Sequence, residues 1–148
     1  MKIIFLDIDG VLNTSSTLPN NSVSSSEILN PRIETALIEK VNKIVEKTGA
    51  EVVLSSSWRC GYNLKQIEKL FKERGARFDL NNKTPVLVYE RDQEIRQWLS
   101  NNVVESFVIL DDMASAGNGF EDNFILISDG LTDANMEQAI NILRFGSS

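Results

Sequence analysis

Two aspartates stand two residues apart in Phe5-Leu6-Asp7-Ile8-Asp9-Gly10-Val11-Leu12-Asn13, directly after a short apolar run. At a strand end such carboxylates repel each other unless a cation sits between them. Gly10 allows the backbone to turn sharply there and approach a ligand. A second acidic pair, Asp111-Asp112, closes the apolar run Val108-Ile109-Leu110, and Ser55, Ser56 and Ser57 follow Val52-Val53-Leu54. The sequence contains no histidine. That excludes a Ser-His-Asp or Cys-His hydrolase and any His-ligated zinc site. Acid–base and metal chemistry therefore fall to carboxylates, and oxygen-only ligands favour Mg2+ over zinc.

The elements that must position these residues are legible in the apolar pattern. Lys2–Asp7, Glu51–Leu54, Ser106–Leu110 and Phe124–Ile127 read as short buried strands, and Pro85–Tyr89 as an edge strand. A helix is expected from Pro31, capped by Asn30, with Ile33, Leu37, Val41, Ile44 and Val45 at helical spacing up to Gly49. Further helices are expected over Asn63–Arg74, Arg91–Asn101 and Asp133–Arg144, the last capped by Thr132. Residues 13–30, rich in Ser, Thr and Asn, read as a polar loop or flap, Arg77–Lys83 as a polar connection, and Met113–Asp122 as a loop. Strands alternating with helices predict an α/β fold, a Rossmann-like three-layer sandwich with a mainly parallel central sheet. Ligands bind beyond the carboxyl ends of such strands. Asp7, Asp9, Ser55, Asp111 and Asp112 all fall there.

Composition bounds the rest. The chain has 148 residues, 42% hydrophobic and 24% charged, as expected of one globular domain spanning residues 1–148. No apolar run approaches the roughly 18–20 residues needed to cross a bilayer, and Ile3–Leu6 is too short for a signal sequence. One cysteine, Cys60, cannot form an internal disulfide, which fits a cytoplasmic home. A net charge of −6 argues against broad nucleic-acid binding, while leaving room for a local basic patch.

Asp7-Ile8-Asp9-Gly10-Val11-Leu12 closely resembles the first motif, DxDGxL, of the haloacid dehalogenase (HAD) superfamily of phosphohydrolases. The resemblance implies that Asp7 is the nucleophile attacking phosphorus and that Asp9 is the general acid, then the base that activates water. The backbone carbonyl of Asp9 would also reach the metal. The family's second motif, a hydroxyl residue after a strand, falls on Ser55, with Ser56 as second choice. Its third motif, a Lys or Arg that neutralises nucleophile and phosphate, falls on Arg91, with Lys83 the rival. An arginine can fork to a carboxylate and a phosphate together. The fourth motif falls on Asp111-Asp112, with Asp112 favoured as the direct Mg2+ ligand and its neighbour orienting the metal or the basic residue.

Within that superfamily, Ser55-Ser56-Ser57-Trp58-Arg59 is most similar to the HAD domain of "Swiss Army knife" RNA-repair proteins. Asp7–Asn13, the Arg91-x-x-Glu94-Ile95-x-x-Trp98-Leu99 helix and Leu110-Asp111-Asp112 share that likeness. This resemblance implies a nucleotide or a phosphorylated RNA or DNA end as substrate. Trp58 then has two readings, stacking on a base or packing in the core, and Arg59 two, binding phosphate or pairing with an acid. Trp98, at helical spacing with Ile95, reads as core. Neither the Asp9–Ser55 gap nor the Ser55–Arg91 gap has room for an independent cap domain, so a capless, open site is expected. The alternatives are a catalytically silent HAD-fold binding module and a receiver-like phospho-acceptor domain. A receiver carries its acidic pair and its phosphorylated aspartate after different strands, without the Asp7–Asp9 spacing.

Overall fold

The computed structural model describes residues 1–14, 33–56, 62–85 and 90–145. Among these residues five strands form one sheet: β1 (Lys2–Leu6), β2 (Glu51–Leu54), β3 (Asn82–Lys83), β4 (Ser106–Asp111) and β5 (Phe124–Leu126). Their order is β3-β2-β1-β4-β5 and every pairing is parallel. Among the described residues there are four helices: α1 (Thr35–Thr48), α2 (Leu64–Glu73) and α3 (Arg91–Ser100) between successive strands, and α4 (Asp133–Phe145) after β5. None of the described helices is long and apolar enough to cross a membrane.

Strand side chains alternate between two faces, and both faces are covered, which explains why the strands are apolar almost throughout. Ile4, Leu6, Val52, Leu54, Val108 and Leu110 point to the side packed by α1, α2 and α4. Ile3, Phe5, Val53 and Ile109 point to the opposite side, where α3 supplies Ile95 and Trp98 and the turn at Ala114–Gly117 supplies Ala116. Trp98 meets Phe5 edge-to-face, 5.5 Å between ring centroids, so it is a core residue as its spacing predicts. The fold is thus the expected three-layer α/β sandwich, with the sheet entirely parallel.

Two elements depart from the sequence expectation. The first helix begins at Thr35, after Ile33, and its N-cap residue Glu34 makes no side-chain capping bond. Pro31 and Asn30 lie outside the described residues. Ile33 is buried all the same, because the Glu34 N–H donates to the Leu12 carbonyl at 2.9 Å and draws the segment onto the core. A tertiary hydrogen bond therefore sets this helix start. The edge strand, expected at Pro85–Tyr89, is Asn82–Lys83 instead. Both residues are exposed and carry no apolar signal; their pairing opposite Val53 and Leu54 makes them a strand. Pro85 lies past it, and residues 86–89 fall outside the described set. The Met113–Asp122 loop holds two short 3-10 turns, Ala114–Gly117 and Glu121–Asn123.

Candidate active site

The central strand β1 delivers Asp7 to the carboxyl edge of the sheet, between two neighbours. Leu6 is level with Leu54 of β2 and with Leu110 of β4. The ladder runs one residue further on each side: the Asp7 N–H donates to the Leu110 carbonyl (3.1 Å) and the Ser55 N–H to the Leu6 carbonyl (2.8 Å). Ser55, Asp7 and Asp111 therefore stand in a row, and all three are buried. Ser55 and Asp111, 48 and 104 residues from Asp7 in sequence, are brought beside it through strand pairing alone.

Arg91, the first residue of α3, closes the row from above the sheet. Its Nη1 lies 2.7 Å from Asp111 Oδ2 and 3.2 Å from Asp7 Oδ1, so one guanidinium nitrogen bridges two buried carboxylates. A cation at a helix N-terminus opposes the helix dipole. The two aspartates more than compensate, holding the guanidinium above its ordinary value although burial works against the charge. Asp111 is fixed further by the Met113 N–H, which donates to its Oδ1 at 2.9 Å. Lys83 sits exposed on the edge strand, separated from β1 by β2, and among the described residues the ion pair to Asp7 comes from Arg91.

Burial pushes the Asp7 carboxyl up to about 9, and the neighbouring Asp111 charge and the Asp112 side chain push the same way. Arg91 and the Ile8 N–H pull it down without prevailing. Asp111 is also raised, again chiefly by burial. One guanidinium thus faces more negative charge than it can neutralise. Asp7, Asp111 and Asp112 each offer an oxygen, and these lie within 4.8 Å of one another. The donor set is all carboxylate, so these three residues could hold a hard divalent cation. Asp112 is the exposed member; its carboxylate rests against Gly10, where a Cβ would collide with it. Gly10 also has φ +83°, a left-handed conformation that favours glycine there.

Ser55 Oγ is buried and has no hydrogen-bond partner among the described residues. An unsatisfied buried hydroxyl costs about 1–3 kcal/mol, a cost that a bound ligand oxygen would remove. Ser56 is also buried, but it is already engaged within the fold. Trp58, Arg59 and residues 15–30 of the polar loop lie outside the described residues.

A model of the HAD domain in Swiss Army Knife RNA repair proteins matches residues 3–136, from β1 into α4. The chain belongs to this family. No curated protein and no solved structure matches it significantly. HAD domains are usually phosphohydrolases, and the match takes in every strand that feeds the row of Ser55, Asp7 and Asp111.

In this HAD domain several residues at the site carried no assignment from sequence reasoning. Asn13 is fully buried and bonds both Gly10 and Asp9. The loop after β5 clamps the first-motif turn: the Gly130 N–H donates to the Gly10 carbonyl (2.8 Å) and the Leu131 N–H to that of Val11 (2.9 Å). Asp92 and Glu94 are buried beside Arg91, in the first turn of α3, where acidic residues favour the helix dipole. Asn13 follows the motif directly, and Gly130 precedes a capped helix. Those are signals of position, and position alone does not disclose a partner.

Proposed function

We propose that this HAD domain is a Mg2+-dependent phosphomonoester hydrolase that works through a phosphorylated Asp7, on a nucleotide or a nucleic-acid end. The observation that carries the reading is Asp7 itself, buried at the end of the central strand between Arg91 and two further carboxylates. Mg2+ held by Asp7, Asp112 and the Asp9 backbone carbonyl, with Asp111 beside them, would supply the positive charge that offsets repulsion between a carboxylate nucleophile and a phosphate dianion.

The chain's own residues account for the other steps. An Asp7 oxygen bonds to phosphorus as the ester oxygen departs, and Asp9 gives that oxygen its proton. Asp9, now ionised, takes a proton from water, and the resulting hydroxide displaces Asp7 to release inorganic phosphate. Ser55 donates its unpaired hydroxyl to a phosphoryl oxygen, Ser56 standing behind it as second choice. Arg91 holds Asp7 and offers charge to the phosphoryl group. Asp111 orients Arg91. Trp58 and Arg59 are proposed contacts to a base and a phosphate of the substrate. Membership of a family from RNA repair proteins supports the nucleic-acid end. The strand order argues against the receiver-like alternative, whose order is 2-1-3-4-5, because here β3 lies outside β2.

The test is hydrolysis of p-nitrophenyl phosphate and a nucleotide panel with Mg2+, beside Asp7→Asn. Turnover should fall by about 10³-fold or more in that variant. Equal turnover would remove Asp7 from the mechanism. Oligonucleotides with a 5′-phosphate, a 3′-phosphate or a 2′,3′-cyclic phosphate, compared with mononucleotides, decide the substrate class; no preference for any oligonucleotide defeats the nucleic-acid end.

A further inference from the structure

The turn after β1 is one helical loop, with the Val11 and Leu12 N–H groups donating to the Ile8 carbonyl. Ile8, Val11 and Leu12 are apolar and buried, so the side chain that carries polar atoms into the interior is Asn13. Its Oδ1 accepts the Gly10 N–H at 2.8 Å, and its Nδ2 donates to Asp9 Oδ1 at 3.0 Å. The partners fix which end of the amide is which: the Gly10 N–H only donates, so the oxygen faces Gly10 and the NH2 is left to face Asp9. Asp9 is half-buried on the turn. General acid–base catalysis needs this carboxylate within hydrogen-bond reach of one particular oxygen.

We propose that Asn13 is a positioning residue for Asp9: by holding Oδ1 it sets the direction from which the carboxyl group meets the leaving group and, later, water. This rests on the phosphatase reading given above. In the first step the Asp7–phosphorus bond forms, the bond from phosphorus to the ester oxygen breaks, and the Asp9 proton moves to that oxygen. Asn13 exchanges no proton; it sets the direction of transfer. The buried amide does this at low cost, because the Gly10 N–H already holds it in one orientation.

Asn13→Asp separates this role from packing. It keeps the size and the acceptor for Gly10, but it sets a second carboxylate oxygen against Asp9. Departure of an alcohol needs the proton from Asp9, whereas p-nitrophenolate leaves well without it. The kcat/KM of Asn13→Asp for a nucleoside monophosphate should therefore fall about 10- to 100-fold, and that for p-nitrophenyl phosphate by less than about 3-fold. In an Asp9→Asn background the same substitution should change neither value further. Equal losses on both substrates, or an added loss on top of Asp9→Asn, would make Asn13 a structural residue only and overturn the proposal. Should Asn13→Asp not fold, Asn13→Ala is judged by the same ratio. A wild-type protein that turns over neither substrate defeats the phosphatase reading, and this role with it; unequal or equal losses in an active protein bear on Asn13 alone.

Discussion

Three carboxylates and one guanidinium share the end of β1, and their imbalance has consequences for stability as well as chemistry. Asp7 is buried and its carboxyl is raised to about 9, whereas in the unfolded chain it titrates near 3.9. The sign follows from linkage. Between those values the metal-free fold holds a proton that the unfolded chain has released, so stability is full below pH ~4 and falls as pH rises toward 9. The slope approaches about 1.4 kcal/mol per pH unit at most, and Asp111, raised alongside, shares the same proton. Urea denaturation in chelator across that range should show the decline, and Asp7→Asn should flatten it. The same variant, neutral and isosteric, should raise the melting temperature of the metal-free protein at pH 7 by about 2–8 °C, from roughly 1–2 kcal/mol. Thermal unfolding that finds Asp7→Asn less stable would show that Arg91 satisfies Asp7 fully on its own. From sequence, strand placement brings Asp7, Ser55 and the acidic pair to one edge. Which member of that pair is buried against Arg91 does not follow from the strand pattern, because neighbouring residues at a strand end face opposite ways; the family resemblance alone favours Asp111 for orienting the metal or the basic residue.

At the scale of elements, the parts that carry their own end signals are the ones that sequence defines well. α2 is closed at its start by a reciprocal cap: the Gln66 N–H donates to Asn63 Oδ1 (2.8 Å) and the Asn63 N–H to Gln66 Oε1 (2.9 Å). α4 has the same arrangement between Thr132 and Asn135. Asn63→Ala should cost about 1 kcal/mol and lower the melting temperature by about 2–4 °C, leaving Asp7-dependent turnover in place. A loss of turnover with an unchanged melting temperature would place Asn63 in the site instead of at a helix end. Where an element lacks such signals, tertiary contacts define it. α1 begins where Glu34 reaches Leu12, and β3 exists because Leu54 and Val53 offer it a ladder. Helix α1 is then tied outward by Arg77, which forks to both oxygens of Glu39 at 2.8 Å and also reaches Glu46. Asn42 joins the same seam from inside, donating to the Gly75 carbonyl and accepting the Arg77 N–H. Hydrogen bonds between side chains nearly forty residues apart leave no periodic trace in the sequence.

For the whole molecule, acid exceeds base, 21 against 15, and three of the aspartates meet at one edge of an all-parallel sheet. A cation bound there acts on the folded chain and not on the unfolded one, because only folding brings Asp7 together with Asp111 and Asp112. Mass action then makes Mg2+ a stabiliser: at about one hundred times its dissociation constant it adds roughly 2.7 kcal/mol, or about 5–11 °C in melting temperature for a chain of this size. Screening of the net charge would stabilise too, so the comparison is made at constant ionic strength with a potassium salt. Asp112 is the decisive position. It is exposed, and removing its charge costs the fold little, whereas the proposed ion loses a ligand. Asp112→Asn should therefore leave the melting temperature in chelator near that of the wild type and sharply reduce the Mg2+ increment, together with Mg2+-dependent turnover. Asp111→Asn should behave differently, destabilising the metal-free protein as well, since it strips Arg91 of its closest partner. An Mg2+ increment that survives both Asp7→Asn and Asp112→Asn would place the ion elsewhere on the molecule. Asp7 would then be a buried acid neutralised by Arg91 and its own proton, and the edge of the sheet would have no use for a metal.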